Sequence, residues 1–157
     1  IFRDFPHWQM DMVRIGNLLY GIHPAAAHRQ SVEEELTGFK NPWKFCARII
    51  SLRVIPKGRS IGYASEYVAP RKMKIATVPV GYSDGLTMEP AEKFIRLGGA
   101  FHYWGMLHGR RAPFIGRCAI SHTLLDVTSI PSASVGDVVE LPVRRTAASS
   151  RIPRVYR

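Results

Sequence analysis

The stretch WKFCARIISLRV, residues 43–54, decides the fold class of this chain. Apolar residues take every second position in its first half, and they take every second position again in its second half with the opposite phase. A period of two is typical of a β-strand with one buried face. The change of phase at Ile49-Ile50 predicts a bulge or a bend. We therefore expect strand structure here, interrupted once.

Further strands are predicted on the C-terminal side of this stretch. Residues 74–80 are rich in β-formers, and residues 108–127 predict a hairpin that turns near His108-Gly109. A Gly136-Asp137 turn then leads into another apolar run. The pattern predicts a mainly β domain, either a small barrel or a sandwich.

Helix signals are scarce and lie mostly near the start of the chain. Residues 31–39 open with Ser31 and carry Glu34 three positions later, which is a capping-box pattern. An apolar run at residues 11–24 predicts a strand or a short helix, and residues 91–97 a further turn. We therefore expect a short helical stub before the β domain.

Composition and charge restrict the class of protein. The chain has 157 residues, 46% of them hydrophobic, without an apolar run long enough to span a membrane and without a signal peptide. The net charge of +10 favours anionic partners, but the basic residues are spread along the chain, so nucleic-acid binding is not favoured. The chain begins without Met and its first residues resemble the middle of a structural element, which predicts a piece of a longer protein.

The cysteines and histidines predict neither a disulfide nor a metal site. Cys46 and Cys118 lie far apart and outside any CxxC pattern, so we expect two reduced and mostly buried thiols. The six histidines do not occur at metal-ligand spacings. The nucleophile elbow GxSxG, the dinucleotide motif GxGxxG and the P-loop are also absent from the sequence.

Four glycine-centred motifs remain, and their order along the chain is informative. They are VRIGN (13–17), SIGYASEY (60–67), PVGYSDG (79–85) and PFIGRCAISH (113–122). In this order they resemble the C-terminal region of the alanine racemases, pyridoxal-phosphate enzymes with an N-terminal (β/α)8 barrel and a C-terminal β domain. The resemblance implies that residues 1–40 are the end of the barrel domain and that residues 41–157 are the β domain.

The resemblance implies a cofactor-binding role for three residues near the start of the chain. Arg14 matches the arginine that hydrogen-bonds the pyridine nitrogen of the cofactor and leaves that nitrogen unprotonated. Gly16 and Asn17 match the pair whose backbone N–H groups hold the phosphate. The family usually has an apolar residue where Asn17 stands, and a main-chain contact tolerates that change.

The resemblance also implies roles for three residues of the β domain. Tyr63 matches the tyrosine that takes or returns the α-proton on one face of the substrate and that reaches the active site of the opposite subunit of a homodimer. Tyr82 matches a tyrosine at the substrate entrance, and a role as a packed turn residue is equally compatible with its position. Ile120 matches the residue whose backbone N–H binds the substrate carboxylate. Asp84 is expected to form the local turn, and Tyr67 to pack in the core.

The implied function is that of an amino-acid racemase acting in the bacterial cytoplasm, where the family supplies D-alanine for peptidoglycan precursors. The family's second base is a lysine of the barrel domain that also forms the Schiff base with pyridoxal phosphate, and no lysine here lies in a matching motif. We therefore expect covalent cofactor binding and activity from the full-length protein only, with the barrel domain as partner of this region.

Two departures from the family pattern bear on the substrate. The family usually has Met-Asp at Ile120-Ser121, and its segment before RIPR is longer than the one that contains Ser149-Ser150. These differences imply a roomier site and an amino acid other than alanine.

Two further functions remain as alternatives. The first is a basic β-barrel module that binds nucleic acid or an acidic protein, which the basic C-terminal end favours, although the sequence lacks the aromatic and basic strand pattern of single-strand binders. The second is a non-catalytic regulatory domain of a membrane or cell-wall protein.

Overall fold

The computed structural model describes residues 5–16, 43–65, 67–87 and 103–156. Its contacts divide the chain into two compact units, Ile1–Trp43 and Lys44–Arg157. Asn17, the predicted helix at residues 31–39 and the predicted turn at residues 91–97 lie outside the described residues.

The described part of the first unit is short and largely irregular. A 3₁₀ helix, Pro6–Gln9, is followed by Met10 with a positive φ of 47° and then by residues 12–16 without regular structure. The helical stub is therefore not seen in residues 5–16, and the strand or helix predicted from residue 11 is wrong for residues 11–16. The physical reason lies at Met10, whose left-handed φ ends the helical turn.

The second unit consists mainly of β-structure, which confirms the predicted fold class at this level. Nine strands are described: Phe45–Arg48 (β1), Ser51–Ile55 (β2), Ser60–Ile61 (β3), Tyr67–Val68 (β4), Met73–Val78 (β5), Trp104–Leu107 (β6), Arg110–Ile115 (β7), Thr123–Asp126 (β8) and Val138–Leu141 (β9). Seven of them form one antiparallel sheet in the order β1-β9-β6-β7-β8-β5-β2, and β3 pairs with β4 in a separate two-stranded ribbon.

The sheet curls because its two edge strands are consecutive in the chain. Ile49 donates its N–H to the carbonyl of Asp137 at 2.9 Å, beside the β1–β9 pairing. The next residue, Ile50, donates to the carbonyl of Thr77 at 2.9 Å, beside the β2–β5 pairing. Neighbouring residues of one bent segment thus bond to opposite ends of the strand order. The bend predicted at Ile49-Ile50 is confirmed.

The predicted turns are also confirmed. His108 and Gly109 both have positive φ angles, 50° and 71°, and they join β6 to β7 with Leu107 paired to Arg110. Two central residues with positive φ give the turn that suits the twist of a two-residue hairpin. Gly136 has a φ of 95° and precedes β9 as expected.

A small apolar cluster attaches the β3–β4 ribbon to the sheet. Ile61 and Ala69 from the ribbon segment are buried together with Met73, Ile75 and Ile115 of β5 and β7. Tyr67 packs against this cluster, as predicted. The connection between β3 and β4 contains Tyr63. It is therefore anchored to the sheet by buried residues at the ends of the ribbon.

The two cysteines are free thiols in different environments. Cys118 is buried, whereas Cys46 is exposed, so the expectation that both are mostly buried is wrong for Cys46. The alternation of β1 explains this result, because Phe45 faces the core and its neighbour Cys46 must face outward.

Candidate active site

The tightest approach between separate segments around the predicted site residues involves a glycine. Gly81 lies against residues 119 and 120 so closely that a Cβ built on it would be 2.3 Å from the carbonyl oxygens of both Ala119 and Ile120. Real Cβ atoms do not approach backbone that closely, so a glycine is needed at this position for steric reasons.

The residues after Gly81 hold the turn of residues 119–122 by three hydrogen bonds. The N–H of Tyr82 donates to the carbonyl of Ala119 at 3.0 Å. The N–H and the hydroxyl of Ser83 both donate to the carbonyl of Ile120, at 3.1 and 2.6 Å. The turn is closed on itself because the N–H of Ala119 donates to the carbonyl of His122 at 3.0 Å. The backbone of this turn is thus held by the bonds from Tyr82 and Ser83 and by its own internal bond.

Asp84 shapes the segment that holds the turn. Its carboxylate accepts a hydrogen bond from the N–H of Gly81 at 2.9 Å, and its own N–H donates back to the Gly81 carbonyl at 3.1 Å. Asp84 therefore forms the local turn, as expected from the sequence. Its carbonyl also accepts from the N–H of Ser149 at 3.3 Å, which connects the C-terminal segment to the same turn.

Ile120 combines a fixed carbonyl group with an N–H group that has no hydrogen-bond partner among the described residues. Its side chain is 56% exposed. Within the described residues its N–H donates no hydrogen bond, although its carbonyl accepts two from Ser83. An unpaired N–H on a rigid turn is a suitable donor for an anionic oxygen such as a carboxylate.

Tyr63 lies beside the same turn, with most of its side chain exposed. Its ring centroid is 6.4 Å from that of His122, with 36° between the ring planes, and the side chain is 58% exposed. It begins the 3₁₀ helix Tyr63–Ser65, with positive φ angles at Gly62 and Ser65. Its hydroxyl makes no hydrogen bond to any residue that the structure describes.

Three of the predicted site residues are thus grouped around residues 119–122. Ile120 belongs to the turn, Tyr82 is bonded to it through its backbone, and Tyr63 contacts it through His122. Ser83 and His122 also belong to this group and were not among the predicted site residues. Ser83 follows Tyr82, and His122 lies two residues after Ile120. Only the pairing of distant segments distinguishes them from ordinary surface residues.

Cys118 lies directly under this group. Burial raises the pKa of its thiol, and the charge of Asp84 raises it further, while hydrogen bonds with the Thr123 side chain and the Tyr82 backbone oppose these effects. A raised pKa keeps the thiol neutral near pH 7, which makes it a poor nucleophile. Cys118 is therefore a packing residue beneath the turn.

Arg14 and Gly16 belong to the first unit, and both are exposed. Within the described residues the guanidinium of Arg14 makes no ion pair, and the N–H of Gly16 donates no hydrogen bond. A Cβ built on Gly16 meets no atom within 4 Å. A free guanidinium and an open backbone N–H are donors that suit a ring nitrogen and a phosphate.

Comparison with known proteins identifies the family of this chain. Residues 43–155 match the family described as "Alanine racemase, C-terminal domain". The chain belongs to the alanine racemase C-terminal domain family. The match covers Tyr63, Tyr82 and Ile120, and it excludes Arg14 and Gly16.

Individual alanine racemases are also similar to this chain. An alanine racemase of Halothermothrix orenii is 38% identical over 140 residues, which are 88% of this chain and 33% of that protein. The crystal structure of the biosynthetic alanine racemase from Pseudomonas aeruginosa aligns with a TM-score of 0.66 and 34% identity, covering 83% of this chain and 33% of that one. An alanine racemase from Bartonella henselae, described with covalently bound pyridoxal phosphate, aligns over 62% of this chain and 25% of that one, with a TM-score of 0.51 and 25% identity. The chain thus spans about a third of the length of the first two of these proteins.

The described residues contain neither a candidate metal site nor a candidate membrane span. No group of three or more His, Cys, Asp or Glu side chains is arranged to hold a metal ion in the part of the chain that the structure describes. Across the same residues, no helix has the length and hydropathy that a membrane crossing requires.

Proposed function

We propose that this chain is the C-terminal part of a pyridoxal-phosphate-dependent racemase that acts on alanine or a related amino acid. The observation that supports this most directly is the grouping of Tyr63 beside the turn that carries the N–H of Ile120. Within the described residues, neither the Tyr63 hydroxyl nor the Ile120 N–H makes a hydrogen bond. A racemase needs a proton-transfer group at the α-carbon and a fixed donor for the substrate carboxylate. These two residues meet both needs.

In the proposed mechanism, Ile120 holds the substrate and Tyr63 moves the proton. The N–H of Ile120 donates to the substrate carboxylate and fixes the α-carbon relative to the turn. The phenolic oxygen of Tyr63 takes the α-proton from one face, or returns it to that face. A second base on the opposite face, a lysine outside this region, completes the inversion. Proton transfer by a positioned side chain contributes about 10²- to 10⁴-fold in rate.

Arg14, Gly16 and Asn17 are the residues that would hold the cofactor. The guanidinium of Arg14 would donate to the pyridine nitrogen, and the N–H groups of Gly16 and Asn17 would donate to the phosphate. When bound, pyridoxal phosphate delocalises the negative charge that remains at the α-carbon after the proton leaves. Two observations support this assignment: Arg14 is exposed and makes no ion pair within the described residues, and a Cβ built on Gly16 meets no atom within 4 Å.

The exposure of the site supports a dimer and a barrel domain as partners. Tyr63 and Ile120 are each more than half exposed, and Tyr82 is 37% exposed. Proton abstraction from carbon requires a site that excludes bulk water. We propose a cytoplasmic bacterial homodimer in which a second subunit and the barrel domain of the full-length enzyme exclude water from this site.

Subunit complementation of the full-length enzyme tests this proposal. Dimers that combine a Tyr63→Phe subunit with a subunit lacking the lysine base should regain activity at one of their two sites, because the intact tyrosine and the intact lysine then meet across the subunits. The parent homodimers should be inactive. Mixed dimers that remain as inactive as the parents would overturn the shared site.

The preferred substrate is a separate proposal. Ser121 is exposed at the tip of the turn, where the family usually has an aspartate, and Ser149 is bonded to Asp84 in the shortened C-terminal segment. We expect a roomier site that prefers an amino acid other than alanine. Racemase assays of the full-length enzyme on a panel of amino acids test this, and a strong preference for alanine would contradict it.

A binding module for nucleic acid or an acidic protein is the second candidate function. Arg144, Arg151 and Arg154 are all exposed, which supports contact with a polyanion. Salt-dependent retention of the chain on a nucleic-acid column would favour this function over the first, and elution at low salt would count against it.

A further inference from the structure

The contact between Tyr63 and His122 joins two elements that are far apart in sequence. Tyr63 lies in the connection between the ribbon strands β3 and β4, and His122 ends the turn that precedes β8. Within the described residues this ring contact is the interaction that the Tyr63 side chain makes.

The two partners of this contact differ in how firmly their backbones are held. His122 accepts the hydrogen bond that closes the turn, and the next residue, Thr123, is 2% exposed at the start of β8. Tyr63 follows Gly62, whose φ of 78° lies in the region that favours glycine. Its hydroxyl has no hydrogen-bond partner in the described residues that would fix the ring. Both side chains are exposed, but His122 stands on the more firmly held backbone, so the position of its ring varies less than that of the phenol.

The same turn also carries the donor for the substrate. Ile120 and His122 are two residues apart, and Ser83 fixes the turn through the Ile120 carbonyl. The backbone that carries the His122 ring is therefore fixed relative to the N–H of Ile120. The distance between a bound α-carbon and the phenolic oxygen of Tyr63 therefore depends on the position of the Ile120 N–H group and on the position of the His122 ring.

We infer that His122 is a positioning residue, whose ring contact with Tyr63 sets the orientation of the phenol relative to the turn that binds the substrate. This inference rests on the proposed function, since it assigns Tyr63 the proton transfer. A misplacement of about 1 Å costs on the order of 10²-fold in rate. Loss of the ring contact therefore lowers kcat and leaves substrate binding through Ile120 in place.

The full-length enzyme with its cofactor is the protein to test. His122→Ala should lower kcat by about tenfold with KM within about twofold of the wild-type value. His122→Phe keeps a flat ring and should retain kcat within about threefold. His108→Ala is the matched control, because it removes an exposed imidazole that contacts Asp137 and Ser132 rather than Tyr63, and it should leave kcat unchanged.

A double variant separates positioning from a general structural effect. If His122 acts through Tyr63, then Tyr63→Phe with His122→Ala should be no slower than Tyr63→Phe alone. Additive losses would overturn the inference, as would a His122→Phe enzyme as slow as His122→Ala, or a wild-type kcat in His122→Ala. Should His122→Ala fail to fold, His122→Phe and His122→Gln provide the same comparison, and equal kcat in these two would overturn the role of the ring.

The same series distinguishes this inference from the proposed function. A Tyr63→Phe enzyme with wild-type racemase activity would overturn the function of Tyr63 itself. A Tyr63→Phe enzyme that is inactive, beside a His122→Ala enzyme that is fully active, would overturn the positioning role alone.

Discussion

Gly81 and Ile120 approach each other so closely that no side chain fits between them. A Cβ at Gly81 would lie 2.3 Å from the Ile120 oxygen and 2.4 Å from its carbonyl carbon. The same carbonyl accepts both hydrogen bonds from Ser83. The turn that is proposed to bind substrate therefore depends on the backbone contact between Gly81 and Ile120.

Gly81→Ala should destabilise the protein and disturb the site at once. The added methyl group must push residues 119–120 away, at a cost of about 1–3 kcal/mol in the free energy of unfolding. We expect a lower melting temperature and an increased KM in the full-length enzyme. Gly109→Ala is the control, because Gly109 has a positive φ but open space around it, so it should cost about 1 kcal/mol and leave KM unchanged. Equal effects of the two variants on KM would contradict the prediction.

Ser83→Ala should loosen the turn without displacing it. It removes the hydroxyl hydrogen bond to Ile120 and keeps the backbone one. Loss of one such bond costs about 1 kcal/mol, and a turn less firmly held should raise KM by about two- to fivefold. Steady-state kinetics measure this, with Ser132→Ala as a control, since Ser132 contacts His108 instead. A change in kcat at constant KM would contradict the expected role.

Tyr63→Phe should abolish racemisation in the full-length enzyme while sparing part of the proton exchange. Loss of one proton-transfer group should lower the rate by about 10²- to 10⁴-fold. The second base still works on its own face, so the α-proton of one enantiomer should continue to exchange with deuterium from solvent. Mass spectrometry of each enantiomer recovered from D₂O measures this. Equal loss of exchange from both enantiomers would contradict the two-base mechanism, and Tyr67→Phe, a packed tyrosine, serves as control.

The two thiols should differ in reactivity and in their effect on alkaline stability. Exposed Cys46 should react with iodoacetamide at least about tenfold faster than buried Cys118. Because burial raises the pKa of Cys118 in the folded state, the unfolded chain loses this proton first. The contribution of the thiol is therefore constant below about pH 8.5 and declines as pH rises above that value toward the folded pKa.

Denaturation curves at several pH values test the alkaline effect. The difference in unfolding free energy between wild type and Cys118→Ala should shrink above about pH 8.5. A difference that stays constant with pH would contradict the assignment.

The 157-residue chain alone should not retain pyridoxal phosphate covalently. Lys44 is paired with Glu140, and Lys74 donates to the carbonyls of Pro131 and Ala133, while Lys57 and Lys72 are exposed. A lysine amine that is solvated or engaged as a cation is a poor nucleophile at neutral pH. After mixing with the cofactor and dialysis, the protein should show no visible absorbance from bound cofactor. A stable visible band would contradict this prediction.

The sequence by itself determined the bent strand segment around Ile49-Ile50, the two predicted turns and the family. The two-residue periodicity of residues 43–54, the His108-Gly109 turn and the order of four glycine motifs each depend on neighbouring residues, so they can be read without a fold. Local patterns also predicted that Asp84 shapes its own turn and that Tyr67 packs in the core.

Only the tertiary structure decided how the candidate site is built. Ser83 and Ile120 are 37 residues apart, and their hydrogen bond depends on how the loops beside β5 and β8 meet across the sheet. The contact of Tyr63 with His122 and the steric need for glycine at position 81 likewise arise from segments that no local pattern connects. Periodicity describes one strand at a time, whereas these relationships depend on which strands pair and in which register.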